Sequence, residues 1–246
     1  MSDHDVSPLL EALPRPARST GFPAAVLWDM DGTLVDSEKV WDISLDDLAA
    51  ELGGTLSLAT RQAMVGSNQE RTIAMLFTEL GLAHVESELA AASAWLTRRT
   101  AELFTLGLPW RPGALEALRM VRASGLPTAL VTSTQRDLTE LALDSIGREF
   151  FDFTLCGDEV SRTKPHPEPY LTAAARLGVA PADCLVVEDS PTGAASAAAA
   201  GCTVLVVPCE VPVEPGPRRV FRDTLENLDL ATLAGLRSEQ YDDTAR

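Results

Sequence analysis

Lysine is nearly missing from this chain. Of 20 basic residues, only Lys39 and Lys164 are lysines. Positive charge is short altogether: 20 Lys and Arg face 36 Asp and Glu, a formal net charge of −16 over 246 residues. A surface this acidic repels phosphate polymers and anionic lipid, so general nucleic-acid binding and membrane docking are excluded. Apolar runs are short as well, and none approaches the roughly 20 residues that a spanning helix needs. Residues 1–21 lack the basic segment followed by an apolar one that marks a secretory leader. The four cysteines are too few for a disulfide framework. Cys156, Cys184 and Cys202 lie in or beside apolar runs, where a thiol acts as a small buried hydrophobe. A cytoplasmic protein is expected, a monomer or weak homodimer. What the chain does have is 46% hydrophobic residues, enough for one large domain or a core with a smaller companion.

Residues 1–21, with Pro8, Pro14 and Pro16 among small polar residues, are expected to form a loose tail. Five continuous apolar runs follow, at 24–28, 127–132, 151–156, 184–187 and 202–207. Without polar alternation, they fit strands buried on both faces of a parallel sheet. Helical patterns at 113–123, 135–146, 168–177 and 192–200 separate the later runs, and Gly125, Gly147, Gly178 and Gly201 follow them as terminators. Strands alternating with helices predict an α/β class: a Rossmann-like parallel sheet flanked by helices. One interval breaks the alternation. Residues 37–106 hold only amphipathic helical text, at 40–52, 70–80 and 86–104. They predict a small helical cap domain inserted after the first strand, between core segments 22–36 and 107–246. Four prolines within 208–217 predict a loop, and a last helix is expected at 225–236.

The most informative segment is Asp29-Met30-Asp31-Gly32-Thr33-Leu34-Val35-Asp36-Ser37-Glu38, at the carboxyl end of the first strand, where open α/β sheets place ligands. By itself it is also readable as an acidic turn. Glu188-Asp189 ends a later strand in the same way, and either Asp189 or Ser190 is suited to cap the next helix. In a parallel sheet, however, Asp29, Asp31, Glu188 and Asp189 would meet at one edge. Two unit charges 4 Å apart repel by about 4 kcal/mol at an effective dielectric of 20. Four such carboxylates need a cation, and hard oxygen ligands favour Mg²⁺. Val131-Thr132-Ser133-Thr134 closes the second strand and opens a helix, which aims hydroxyls and N–H groups at one spot, Thr132 and Ser133 foremost; an ordinary helix cap would look the same. Lys164 precedes Pro165, Pro167 and Pro169, which stiffen its segment. A solvated loop lysine is its bland reading. In a chain that otherwise writes arginine, it suits a compact charge placed on phosphate.

Taken in order, these four segments (DxDGT, T, KP, ED) resemble the haloacid dehalogenase superfamily of phosphohydrolases, in the subgroup that includes β-phosphoglucomutase. The resemblance spans roughly residues 24–236. It implies Asp29 as nucleophile and Asp31 as general acid and base, with Thr132 and Lys164 holding phosphoryl oxygens. It also implies Mg²⁺ bound by Asp29, the Asp31 main-chain carbonyl and Asp189, with Glu188 beside it. Asp31 would protonate the leaving oxygen and then deprotonate the water that attacks an aspartyl-phosphate. True dehalogenases of the superfamily lack that second aspartate.

In this family the cap sets the substrate, and here the chain departs from the mutase. Trp41 stands where the mutase has a histidine, and Gln69 where its Gly-x-x-Arg segment places an arginine for a second phosphate. Phosphonatases use a cap lysine, and 40–163 contain none. The expected activity is therefore hydrolysis of a small phosphomonoester, a sugar or polyol phosphate. A mutase is the alternative, and a non-catalytic phosphometabolite-binding protein a third reading. Trp41, Asn68, Gln69 and Arg71 are the candidates for substrate contact. Each has a plainer role to weigh: Trp41 in the cap core, Arg71 on a solvated face, and Ser67-x-x-Glu70 as a capping box.

Overall fold

The computed structural model describes residues 21–242; the expected loose tail at 1–20 lies outside them. Six strands form one sheet, β1 (Ala25–Trp28), β2 (Thr128–Val131), β3 (Phe153–Leu155), β4 (Cys184–Glu188), β5 (Thr203–Val206) and β6 (Arg219–Phe221), in the order β3-β2-β1-β4-β5-β6. Every pairing is parallel. Successive side chains of a strand point to opposite faces, and both faces are covered. Val26, Trp28, Leu130, Leu185 and Val187 pack with residues of α5 (Ala114–Ala123), α6 (Arg136–Ile146) and α9 (Leu230–Asp242). Ala25, Leu27, Ala129, Val131 and Val186 pack against α7 (Glu168–Leu177) and α8 (Pro191–Ala199). Burial on both sides is why these runs carry no polar alternation. The Rossmann-like α/β expectation holds.

Between β1 and β2 lie α1 (Glu38–Glu51), α2 (Leu58–Met64), α3 (Gln69–Glu79) and α4 (Glu86–Phe104). Their apolar faces meet in a cluster of their own, around Leu45, Leu48, Met64, Ile73, Leu76, Phe77 and Leu96. The chain enters and leaves this helical insert side by side. Val35 bridges Trp110 antiparallel, and the Asp36 N–H donates to the Pro109 carbonyl at 2.8 Å.

Three local readings are corrected. Helix α2 was not expected; only seven residues long, it offers too little periodicity to read, and Ser57 caps it by accepting from the Thr60 N–H. After the proline-rich loop the chain adds the edge strand β6, whose residues are half-buried or exposed and carry no long apolar run. The last helix starts at Leu230 rather than near 225. Asn227 adopts a left-handed φ of 57°, and Asp229 caps the first turn by accepting from the Thr232 N–H at 2.7 Å. Among the described residues, no helix is long and apolar enough to cross a membrane.

Candidate active site

The strand order reverses beside β1, so the crossovers to β2 and to β4 leave in opposite directions and open a crevice at the strands' carboxyl ends. Asp29 and Asp189 follow β1 and β4 at that edge, and Glu188 ends β4. The turn after Asp29 needs Gly32 twice over. Its φ is +79°, and a Cβ there would lie 2.2 Å from Asp189 Oδ2.

Lys164 reaches the same edge. Its peptide to Pro165 is cis, and the side chain is buried. Nζ donates to Asp29 Oδ1 at 2.6 Å, Glu188 Oε1 at 2.7 Å and the Val131 carbonyl at 3.0 Å, one acceptor for each ammonium hydrogen. Burial pulls the lysine's pKa down, but the adjacent Asp29 and Glu188 carboxylates outweigh it and hold the ammonium charged. Glu188 is fully occupied by protein donors. Oε1 also accepts from Tyr170 Oη at 2.7 Å. Oε2 accepts from the N–H groups of Asp189 and Ser190 and from Ser190 Oγ, at 3.1–3.2 Å. Asp29 is pushed up to about 7, by burial first and the Glu188 charge second, against the pull of Lys164.

Carboxylate oxygens of Asp29, Glu188 and Asp189 all lie within 4.8 Å of one another, and all three residues are buried. Three anions share one lysine, so the cluster is short of positive charge, and its donors are hard oxygens. That set fits a divalent cation of the Mg²⁺ type. Asp31 lines the same cavity as Asp29 and Asp189, with its side chain outside that tight cluster: Oδ1 accepts from Ser37 Oγ at 2.5 Å and Trp41 Nε1 at 3.1 Å, Oδ2 from Thr134 Oγ1 at 2.7 Å and Thr132 Oγ1 at 3.3 Å.

Thr132 thus spends its hydroxyl on Asp31, and its oxygen accepts from the Thr134 N–H at 3.0 Å. Ser133 differs. Its Oγ is buried without a hydrogen-bond partner and lines the cavity together with Asp29, Lys164 and Asp189. A buried hydroxyl left unpaired is costly, and a phosphoryl oxygen would satisfy it.

The helical insert forms the facing wall with Trp41, Arg61 and Gln69 among its residues. Trp41, besides holding Asp31, sets its ring edge-on to Phe104 at 6.3 Å. The Gln69 amide nitrogen lies 2.8 Å from Ser93 O, Ser93 Oγ and Thr97 Oγ1, so it is tied to its own helices. Asn68 is not among the cavity residues. It ties the insert to the sheet side through Nδ2 to Thr163 Oγ1 at 2.8 Å and caps α3 by accepting from the Arg71 N–H. The cap therefore sits one residue later than the Ser67-x-x-Glu70 box. Arg71 is exposed and outside the cavity.

Tyr170 and Arg61 carry no motif in the sequence, while Ser37 and Thr134 fall inside the acidic and hydroxyl-bearing segments without a role of their own. Ser37 and Thr134 stand close to motif residues in the chain, a signal that was available. Tyr170 reads as a core aromatic, and Arg61 lies on the helix too short to detect.

A model of the haloacid dehalogenase-like hydrolase family matches residues 23–201, which include Asp29, Asp31, Thr132, Lys164, Glu188 and Asp189. The chain belongs to the haloacid dehalogenase-like hydrolases. This hydrolase is 31% identical over 208 residues to hexitol phosphatase A of Escherichia coli K12, covering 79% of the chain and 87% of that protein. It is 31% identical over 223 residues to a probable pseudouridine-5'-phosphatase of Drosophila melanogaster, covering 87% and 92%. Among solved structures, β-phosphoglucomutase of Clostridium difficile superposes with a TM-score of 0.77 at 18% identity, over 91% of this chain and 100% of that one; that likeness is one of fold. The expectation of a phosphoric monoester hydrolase is met.

Proposed function

We propose that this hydrolase cleaves a small sugar or polyol phosphate, with Asp29 attacking phosphorus to form an aspartyl-phosphate that water then hydrolyses. The observation that carries the reading is Lys164, locked between Asp29 and Glu188 beside the unpartnered Ser133 hydroxyl. Lys164 neutralises phosphoryl charge in the transition state, usually the largest contribution in such reactions. Ser133 Oγ donates to a phosphoryl oxygen. Thr132 acts one step back, orienting Asp31 together with Thr134, Ser37 and Trp41. Asp31 gives its proton to the leaving oxygen and later takes one from water. Asp29 and Asp189, with the Asp31 main-chain carbonyl, would hold Mg²⁺, which when bound supplies positive charge against the phosphoryl oxygens. Glu188 serves chiefly to hold Lys164.

Residues 37–106 act as a cap domain over core segments 22–36 and 107–246. Their contacts with the sheet side support that division of labour: Trp41 on Asp31, Asn68 on Thr163, and the Thr192 hydroxyl on the Val65 carbonyl at 3.2 Å. The names of the relatives support a sugar- or polyol-phosphate substrate. The tethered Gln69 favours water over a second hydroxyl as acceptor, because a mutase must grip a bisphosphate at both ends. The test is phosphate release from a panel of hexitol and sugar phosphates with Mg²⁺. Turnover of at least one well above that of a generic aryl phosphate is expected. Conversion of β-glucose 1-phosphate to glucose 6-phosphate faster than phosphate release would reassign the enzyme as a mutase.

A further inference from the structure

Tyr170 lies on α7, fully buried in the apolar cluster beneath the sheet with Val131, Val186 and Ala194. Its hydroxyl is the polar exception in that cluster, and it donates to Glu188 Oε1 at 2.7 Å. The face of its ring lies 5.1 Å from Lys164 Nζ, within reach of a cation–π attraction. Glu188 takes five donors in all, Lys164 and Tyr170 on Oε1 and three from Asp189 and Ser190 on Oε2. A carboxylate oxygen has two lone pairs, so Oε1 is filled by the lysine and the tyrosine. Gly193 of α8 closes in on the same oxygen, and a Cβ there would lie 1.7 Å from it.

All three hydrogens of the Lys164 ammonium are taken, by Asp29, Glu188 and the Val131 carbonyl. The lysine meets a phosphoryl oxygen only by giving one of them up. Of the three acceptors, Asp29 alone lines the cavity, so it is the one a phosphoryl oxygen can replace. That exchange also releases the nucleophile. It requires that Glu188 anchor the ammonium without drawing it away. With its second lone pair empty, Oε1 would be a buried, under-satisfied anion, and the mobile donor at hand is the lysine itself. We propose that Tyr170 is a positioning residue for phosphoryl transfer: its hydroxyl fills the second site on Glu188 Oε1, which leaves the Lys164 ammonium able to trade Asp29 for a phosphoryl oxygen. This rests on the hydrolase reading above and adds what directs its lysine. Tyr170 does not line the cavity and touches no substrate.

The test is Tyr170→Phe, which keeps the ring, its packing and its face toward Lys164 and removes the one donor. With Mg²⁺ and a hexitol phosphate, kcat is expected to fall about tenfold while KM moves by less than about twofold, because the lysine's bond to phosphoryl strengthens in the transition state. Two anions read the same split without turnover. Calorimetric affinity for vanadate, a mimic of the five-coordinate phosphoryl, should fall about tenfold, and affinity for inorganic phosphate should stay within about twofold. Equal losses for the two anions, or a loss of kcat/KM carried by KM, would reduce the hydroxyl to a packing role in α7. A wild-type chain that releases no phosphate from a hexitol or an aryl phosphate defeats the hydrolase reading; a wild type that turns over, matched in kcat by Tyr170→Phe, defeats the role of Tyr170.

Discussion

The sheet side of the cavity holds its charges in a buried set, while the insert side pairs Arg61 with a carboxylate, Asp42, that is partly open to solvent. Lys164 is 4% exposed and Glu188 fully buried, and each polar atom of that pair meets acceptors or donors fixed by strand ends. Arg61, by contrast, is partnered by an Asp42 whose side chain is 41% exposed, on a seven-residue helix. A buried ionic cluster cannot lose a member cheaply, because the remaining charge is left uncompensated in low dielectric. A pair with one carboxylate 41% exposed loses less, because water can replace that partner. The cluster at the strand ends therefore tolerates less change than the pair on the insert.

Lys164→Met should show the largest effect. It strands Asp29 and Glu188, so stability is expected to fall by about 3–5 kcal/mol, read by denaturant titration, and phosphate release should drop by about three orders of magnitude or more. A stable, active Lys164→Met chain would erase the contrast between the walls.

Metal and pH probe the same cluster. Because the folded carboxyl of Asp29 is raised to about 7 from an ordinary 3.8, the folded state holds a proton that the unfolded state has lost in that interval. Stability of the metal-free chain from this group is therefore present at low pH and lost as pH rises from about 4 to 7. The raised lysine contributes stability that is constant over this range, since it stays charged throughout. Added Mg²⁺ should raise the melting temperature, with a gain that grows from pH 5 to pH 7 and reaches about 2.7 kcal/mol at a hundredfold excess over Kd. A gain independent of pH would place the cation away from Asp29.

Trp41→Phe tests the seam between the walls. It keeps an aromatic ring near Phe104 and removes the N–H that holds Asp31 Oδ1. About a tenfold fall in kcat with KM changed less is expected, in line with the loss of one hydrogen bond. An equal fall in kcat and rise in KM would make Trp41 a substrate contact instead. Asn68→Ala should do least. It removes the Thr163 bond and the α3 cap, and a stability loss of about 1 kcal/mol is expected on thermal unfolding.

The same contrast explains what the sequence discloses. Strand-end residues such as Asp29, Glu188 and Asp189 are announced by continuous apolar runs that stop at a carboxylate, and parallel pairing then brings the runs' ends together. Lys164 is announced by rarity and by its prolines. Helical text is less informative, since its period fixes a buried face but leaves open which polar residue turns into a cavity. Arg71 and Arg61 both sit near the start of the same stretch. The first projects into solvent from the opening turn of α3, whereas the second, on a helix too short to show a period, lines the site. Asp31 was legible as a site residue but not in its surroundings, because Ser37 and Trp41 reach it from the start of α1 and Thr132 and Thr134 from the loop between β2 and α6.

Asp29, locked by Lys164, is proposed as the group that takes the phosphoryl. Rapid acid quench of the Mg²⁺-loaded chain with a ³²P-labelled hexitol phosphate tests it most directly. Acid-stable, hydroxylamine-labile label is expected on the wild-type chain, formed and lost at rates compatible with turnover and absent from Asp29→Asn. Steady phosphate release with no label on the protein, or label of equal stoichiometry in Asp29→Asn, would contradict it.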